Sequence, residues 1–145
     1  MDTTNMPPTY NISYTYTLLK TALQRRLSAG GLKITVEQLA VLRFLHTQKD
    51  CVSMHVISDN LFRDNSTITR LADSLEKRNL IERVSSKSDR RVINVCLSKQ
   101  GREIYSKASR LAEEHVQFAM RDISEHEIEH LSNVLSKIQM NLLEE

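Results

Sequence analysis

Two stretches of this sequence carry side chains whose types and spacing could do chemistry, and the longer one runs from Asp64 to Gly101. Its polar set consists of Asn65, Ser66, Thr67, Thr69, Arg70, Lys77, Lys87, Asp89, Arg90 and Arg91. Short hydroxyl and amide side chains at the start of a helix let it approach base edges closely, and an arginine one turn later can donate two hydrogen bonds to guanine. Lysine and arginine side chains also neutralise phosphates. The chemistry that this pattern indicates is recognition of double-stranded DNA.

The shorter stretch, from His126 to His130, matches the HExxH pattern of zinc peptidases, in which two histidines share a metal ion and the glutamate acts as a base. The same glutamate, Glu127, is expected to form a capping box with Ser124 at the start of a helix. Both histidines fall about 160° from Ile128 around that helix, on its polar face. We therefore predict no catalytic residue, no metal site and no enzymatic activity, and keep metal binding through the two histidines as an alternative.

The helix that carries the polar set is expected to have two distinct faces. Apolar side chains cluster within about 60° of Ile68, namely Leu71, Ala72 and Leu75. The opposite side holds Ser66, Arg70, Asp73 and Lys77. Asp73, one turn beyond Arg70, could hold the guanidinium of Arg70 or accept a hydrogen bond from cytosine. Asp64 or Asn65 can cap the start of this helix, and Asn79 tolerates the left-handed conformation that ends one. One face is thus predicted to pack, and the other to contact DNA.

Two strands, residues 80–84 and 92–97, are predicted after this helix, with a polar loop between them. Asp89 precedes Arg91 by two positions, so in an extended strand both side chains share a face and the carboxylate can hold the guanidinium. An arginine directed in this way loses less entropy when it enters a narrow minor groove. Arg90 points the other way, towards phosphate. The alternative is a surface ion pair of little energetic value.

Three helices are predicted ahead of this unit. The first spans about residues 11–29. Thr35 and Gln38 form a capping box that opens the second, which runs to about residue 48. Ser53 caps a short third helix, which is expected to be the scaffold half of a helix-turn-helix whose second half is the polar helix.

Apolar stripes at helical spacing run along the first helix and along two helices that begin near Ser98 and Ser124. Their apolar surface is too large for one small winged module to cover, so we predict a two-fold homodimer. The predicted interface residues are Ile12, Tyr16, Leu19, Leu111, Phe118, Leu131, Leu135, Ile138 and Leu142. The alternative is an intramolecular helical pair.

The amino-acid composition limits the classes of protein to which this chain can belong. The chain has 145 residues, of which 40% are hydrophobic and 26% charged, with three glycines and two prolines. These values are typical of one mainly α unit, over residues 1–145. We find neither a leader nor an apolar run of roughly 18 residues, so a cytoplasmic protein with no membrane contact is expected. The net charge is +2, but bases outnumber acids in the middle of the chain, which would attract a polyanion.

The sequence has two cysteines, Cys51 and Cys96. They lie far apart along the chain and form no CxxC motif, so neither a disulfide framework nor a thiolate zinc site is readable. Buried, reduced thiols are therefore predicted at both positions.

Residues 61–101 resemble the MarR-type (multiple antibiotic resistance regulator) winged-helix family. The motifs that carry the resemblance are Ser66-Thr67-Ile68-Thr69-Arg70-Leu71, Leu75-Glu76-Lys77-Arg78-Asn79-Leu80-Ile81, Asp89-Arg90-Arg91 and Val95-Cys96-Leu97-Ser98-Lys99-Gln100-Gly101. The resemblance implies a mainly α fold with a small β wing: a winged helix-turn-helix at residues 35–100, with dimerisation helices at residues 10–30 and 101–145. Asn79 stands where the family usually has glycine.

The resemblance also implies a sequence-specific regulator of transcription, a ligand-responsive repressor that binds a pseudo-palindromic operator as a homodimer. A small-molecule effector and no cofactor are implied. The peroxide-sensing branch of the family has its reactive cysteine in the first helix, where this chain has none, so redox sensing is not predicted. The alternative is a winged-helix protein-interaction module, and steep salt dependence of binding would favour DNA over it.

Overall fold

The computed structural model describes residues 5–86, 88–89 and 91–144. Within these residues the helices are α1 (Pro8–Ala29), α2 (Val36–Thr47), α3 (Met54–Leu61), α4 (Asn65–Lys77), α5 (Lys99–Ala119) and α6 (Glu125–Leu143). The strands are β1 (Val52–Ser53), β2 (Ile81–Ser85) and β3 (Ile93–Leu97). The predicted class, mainly α with a small β wing, is confirmed. The chain divides into two compact units, Met1–His115 and Val116–Glu145.

The three strands form one antiparallel sheet in the order β1-β3-β2. β2 and β3 make the predicted hairpin, in a register that runs from Ile81 opposite Leu97 to Ser85 opposite Ile93. The sequence did not reveal β1: no element was predicted at Val52, and Ser53 was predicted only as the cap of the third helix. A strand of two residues is too short to show alternation between polar and apolar side chains.

Helix starts follow the predicted caps. The Thr35 hydroxyl accepts a hydrogen bond from the Gln38 backbone N–H at 3.1 Å, and the Thr35 N–H donates to the Gln38 side chain at 2.9 Å. Ser53 caps α3, and Ser124 with Glu127 forms the capping box of α6. These contacts satisfy backbone N–H groups that have no partner inside the helix. Each cap confirms a boundary that local sequence alone had indicated.

The core of the first unit lies where α3 and α4 meet the end of α1, α2 and the sheet. Its fully buried large side chains include Leu27, Leu42, Ile57, Ile68, Leu75, Leu80, Ile81 and Val95. Burying one such side chain contributes roughly 1.5–3 kcal/mol. This packing buries one face of α4, at Ile68, Ala72 and Leu75.

Cys51 and Cys96 form a disulfide, so the prediction of reduced thiols is wrong. The register of Val52 opposite Val95 places the two cysteines opposite each other, with their Cα atoms 4.6 Å apart. Separations of this size suit a disulfide. The pairing depends on β1, whose position the sequence did not show.

In the second unit, α6 has no buried residue in its described part, from Glu125 to Leu143. Apolar side chains at helical spacing therefore face outward in the single chain. None of the helices in the described part of the chain has an apolar segment long enough to cross a bilayer.

Candidate nucleic-acid interface

The helices α3 and α4 form a helix-turn-helix whose turn contains Phe62 in the left-handed conformation, with φ 49°. The Arg63 N–H donates to the Ser58 carbonyl at 3.1 Å. The buried Ser58 hydroxyl donates to the Asn65 side-chain oxygen at 2.8 Å. Part of the Asn65 amide therefore ties α4 to α3, which the sequence had not indicated.

The predicted division of α4 into two faces is confirmed. Ile68, Ala72 and Leu75 are at most 1% exposed. The side chains of Ser66, Thr69, Arg70 and Lys77 are exposed. A helix packed on one side and open on the other is the geometry that insertion into a major groove requires.

Asp64 caps α4 and organises its first turn. Its carboxylate accepts hydrogen bonds from the Thr67 N–H at 2.8 Å, from the Thr67 hydroxyl at 2.8 Å and from the Ser66 hydroxyl. The two hydroxyls and this N–H hold the pKa of Asp64 well below its ordinary value. The Thr69 hydroxyl donates to the Asn65 carbonyl at 2.8 Å. All three hydroxyls thus donate their hydrogens to acceptors within the protein.

The cap also affects anion binding at the start of α4. The free N–H groups at a helix N-terminus favour an anion such as a phosphate. Here the Asp64 carboxylate already occupies that position and carries a negative charge of its own. The negative charge of this carboxylate would repel a phosphate from this end of α4.

Asp64→Ala is expected to lower the melting temperature of the protein at neutral pH, because α4 loses its cap. The pKa of Asp64 is lowered from its ordinary value of 3.8, so its stabilising contribution is fully present above that pH. It is lost as the pH falls towards the folded pKa. Melting curves of wild type and variant should therefore differ at pH 7 and converge on acidification. Asp64→Asn, which can still cap but carries no charge, is the control. A melting temperature of Asp64→Asn equal to that of wild type at pH 7 would contradict the role of the charge.

Asp73 has a different role from the predicted one. The sequence placed it on the open face of α4, able to hold Arg70 or to accept from cytosine. In the structure its carboxylate lies 2.6 Å from the Arg83 guanidinium, which also lies 3.3 Å from Glu76. These ion pairs join α4 to β2, and so help to fix the angle between α4 and the β2–β3 hairpin.

The loop of the wing also differs from the predicted extended strand. The Val92 N–H donates to the Asp89 carbonyl at 3.0 Å, which closes a turn. The Asp89 carboxylate accepts from the Arg91 backbone N–H at 2.9 Å. Among the described residues it forms no ion pair with the Arg91 guanidinium, so that part of the prediction is wrong. Asp89 shapes the backbone, and the Arg91 side chain is exposed. Lys87 and Arg90 lie outside the described residues.

Two buried polar side chains outside the predicted set also position α4. The Gln38 amide donates to the Ser74 hydroxyl at 2.9 Å, linking α2 to α4. The Ser98 hydroxyl donates to the Asn79 carbonyl at 2.6 Å and accepts from the Gly101 N–H at 2.9 Å. Asn79 has the predicted left-handed conformation, with φ 55°. The Ser-x-x-Gly spacing was the only sequence signal for this second connection.

The predicted interface residues lie on helices that the single chain leaves partly uncovered. Ile12, Tyr16, Phe118, Leu131 and Leu142 are exposed. The other four, Leu19, Leu111, Leu135 and Ile138, are half-buried. Exposed apolar side chains on this scale are typical of surfaces that another protein covers.

The HExxH residues do not form a metal centre within the described chain. His126 and His130 are exposed, and Glu127 accepts the Ser124 N–H at 2.9 Å as the capping acid. Across residues 5–86, 88–89 and 91–144, no group of three or more metal-ligating side chains is close enough to hold an ion.

A cleft of about 780 Å³ lies in the first unit between the end of α1 and the start of α5. Its lining residues are Gly30, Leu32, Arg102, Glu103, Ser106, Lys107, Arg110 and Leu111. Three of the lining side chains are cations, one is an acid and two are leucines, so the lining combines apolar surface with a net positive charge.

Comparison with known proteins adds to this geometry. The MarR family model matches residues 34–93. The HTH-type transcriptional regulator PecS of Dickeya dadantii is 33% identical over 96 residues, which cover 63% of this chain and 55% of PecS. YsmB of Bacillus subtilis, an HTH-type transcriptional regulator, is 28% identical over 106 residues, covering 73% of this chain and 72% of YsmB. The crystal structure of a S. aureus MepR-DNA complex matches with a TM-score of 0.87 at 25% identity, covering 94% of this chain and 99% of MepR.

Proposed function

This chain belongs to the MarR family of winged-helix transcriptional regulators, and we propose that it binds duplex DNA as a homodimer and represses transcription where it binds. The observation that carries the proposal is the open polar face of α4, around Arg70, on a helix whose opposite face is buried. No catalytic role is assigned, because Glu127 of the HExxH pattern serves as a capping acid. Action on chromosomal DNA agrees with the predicted cytoplasmic location.

In the proposed complex α4 enters the major groove with its first turn towards the bases. Because the hydroxyls of Ser66, Thr67 and Thr69 direct their hydrogens into the protein, their outward-facing lone pairs can only accept. The groups that donate in the major groove are the amino groups of adenine and cytosine. Arg70 supplies the donors that guanine requires. Each half-site is thus proposed to present an amino group to the first turn and a guanine to Arg70.

The wing is proposed to follow the sugar-phosphate backbone and to place Arg91 in the minor groove. Arginine suits a narrow minor groove because the enhanced negative potential there attracts its planar cation. The hydrogen bond from the Arg91 N–H to Asp89 fixes the backbone from which this side chain starts. Lys77, Lys87 and Arg90 are proposed to neutralise phosphates.

Two copies of this unit are proposed to be held together by α1, α5 and α6. The apolar faces of these helices are exposed in the single chain, and α6 buries none of its described residues. A two-fold dimer would present its two α4 helices to half-sites about one helical turn, roughly 34 Å, apart.

Leu135→Asp is expected to convert the dimer to monomers, raising the dimer dissociation constant about a thousandfold or more, because each dimer would bury two unpaired carboxylates. Sedimentation velocity over a concentration series measures this. Asn133→Asp, an exposed position nearly opposite on the same helix, is the matched control and should remain dimeric. A dimer unaffected by Leu135→Asp would remove α6 from the proposed interface.

The proposed regulator responds to a small molecule that binds the cleft between α1 and α5. Arg102, Lys107 and Arg110 outnumber Glu103 there, and Leu32 and Leu111 supply apolar surface. The chemistry of this lining favours an anion with an apolar body, such as an aromatic carboxylate. Loss of DNA binding on addition of such an acid, and its restoration in an Arg110→Ala variant, would support this site.

The decisive experiment is selection of bound fragments from sheared genomic DNA, followed by gel shift with the enriched duplex. A palindromic sequence with half-sites one turn apart is expected. With about six phosphate contacts per dimer, affinity should fall roughly a thousandfold between 50 and 200 mM salt. A chain that enriches no sequence and binds with little salt dependence would instead be a protein-interaction module.

A further inference from the structure

The disulfide between Cys51 and Cys96 links two residues that flank, in sequence, every residue of the proposed DNA-contacting surface. The two cysteines are 45 residues apart in sequence, and every residue proposed to contact DNA, from 65 to 91, lies between them. The bond joins the residue just before β1 to the central strand β3, one position beyond the pair Val52 and Val95. It therefore closes a covalent ring around α3, α4 and the wing.

Few backbone contacts hold β1 against β3, although Val52 and Met54 beside them pack against the core. β1 pairs with β3 at only two positions in the described chain. The second residue of β1, Ser53, is also the cap of α3, accepting from the Val56 N–H at 3.4 Å. If β1 separates from β3, the start of α3 loses its anchor to the wing, although the ion pairs of Arg83 still connect β2 to α4.

Both cysteines are half-buried, so a small oxidant or reductant can reach them. Disulfides are rare in reducing compartments, where those that form are usually transient and redox-sensing. The Cys51–Cys96 pair links β3 to the residue before β1, next to the helices and hairpin that are proposed to contact DNA. Oxidation or reduction of the pair can therefore affect how those elements are held.

We propose that Cys51 and Cys96 are a reversible thiol–disulfide pair that sets DNA affinity, with the disulfide as the strong-binding form. The inference rests on the proposed DNA-binding function and adds its regulation. In the disulfide form β1, α3 and the wing are preorganised, so binding does not have to order them. In the dithiol form the residues around β1 must be ordered on binding, which weakens the complex.

The oxidant is of the hydroperoxide class, with hydrogen peroxide as the simplest member. The sulfur of one thiolate attacks a peroxide oxygen, the O–O bond breaks and hydroxide leaves, which gives a sulfenic acid. The second sulfur attacks the first, the S–S bond forms and a second hydroxide leaves. With the two thiol protons the hydroxides become water, so two thiols and one hydrogen peroxide give one disulfide and two waters. A dithiol reductant reverses the change by thiol–disulfide exchange.

The test compares the full-length protein after dithiothreitol and after hydrogen peroxide, each with the reagent removed. Mass spectrometry with iodoacetamide should show two alkylated cysteines in the reduced protein and none in the oxidised protein, which is lighter by two hydrogens. Gel shift with the enriched duplex should show about tenfold tighter binding by the oxidised protein, the factor expected if binding otherwise orders one further backbone residue. Cys51→Ser should bind like the reduced protein in both treatments.

Three results would overturn the proposal: both cysteines remain alkylatable after peroxide, the two forms bind the duplex equally, or the reduced form binds more tightly. Circular dichroism of Cys51→Ser identifies a folding defect, and the wild-type comparison decides the question even if that variant is unstable. Absence of DNA binding in both redox forms would instead reject the DNA-binding function, and the alkylation result would still show whether the pair is reversible.

Discussion

Arg70→Ala is expected to weaken binding to the enriched duplex between about 30-fold and 10⁴-fold. A bidentate contact from arginine to guanine is worth about 1–3 kcal/mol, and a homodimer loses two of them. Arg70 lies on the exposed face of α4, two residues from the fully buried Ile68, so its removal leaves the packing intact. Fluorescence anisotropy with the specific duplex and with an unrelated one measures the loss. The dimer should be unchanged.

Two further variants give this prediction its controls. Arg70→Lys keeps the charge and loses the planar fork, so specificity should relax at one base pair of each half-site. Arg43→Ala removes an exposed arginine from α2 and should leave affinity nearly unchanged. An equal loss on specific and unrelated DNA would show that Arg70 contacts only phosphate.

Arg91→Ala is also expected to abolish specific binding. Unchanged binding by this variant would reject the proposed role of the wing in the minor groove.

Gly101→Ala is expected to destabilise the protein by about 3 kcal/mol or more, lowering the melting temperature by roughly 10 °C. A Cβ on this residue would overlap the backbone oxygen of Leu80 and lie 2.9 Å from its carbonyl carbon. Backbone atoms cannot rotate away, so α5 would have to move from the start of β2. The movement would also strain the hydrogen bond from the Ser98 hydroxyl to the Asn79 carbonyl.

Gly31→Ala is the matched control for this effect. Gly31 has φ 76°, but a Cβ there meets no atom within 4 Å. The substitution therefore incurs only the cost of a left-handed conformation, about 1–2 kcal/mol. Calorimetry of both variants should rank Gly101→Ala clearly below Gly31→Ala in stability. If the two were equal, the close approach of α5 to the strand would not be what requires glycine at position 101.

Much of the fold was readable from the sequence because helix signals are local. A cap such as Asp64 or Ser124 and its partners lie within three positions, and the buried stripe around Ile68 repeats every three to four residues. The choice of which face of α4 packs follows from the same periodicity. The wing hairpin was readable because its strands are close neighbours in sequence and a polar loop separates them.

Side-chain contacts between residues far apart in sequence, or within loops, could not be predicted from the sequence. Asp73 was placed with Arg70 by helical spacing, whereas its ion pair with Arg83 depends on how β2 passes α4. Asp89 was assigned an ion pair from strand alternation, which does not apply in a turn.

Residue types and short-range periodicity were sufficient to predict a helix with one polar face, followed by a two-stranded hairpin with a polar loop. The tertiary structure was needed to bring the Ser58 hydroxyl of α3 to the Asn65 side chain of α4, because that hydrogen bond depends on how the two helices pack. It alone joined Cys51 to Cys96. Such a contact across 45 residues depends on the register of the sheet, which packing of the complete chain sets and no local pattern encodes.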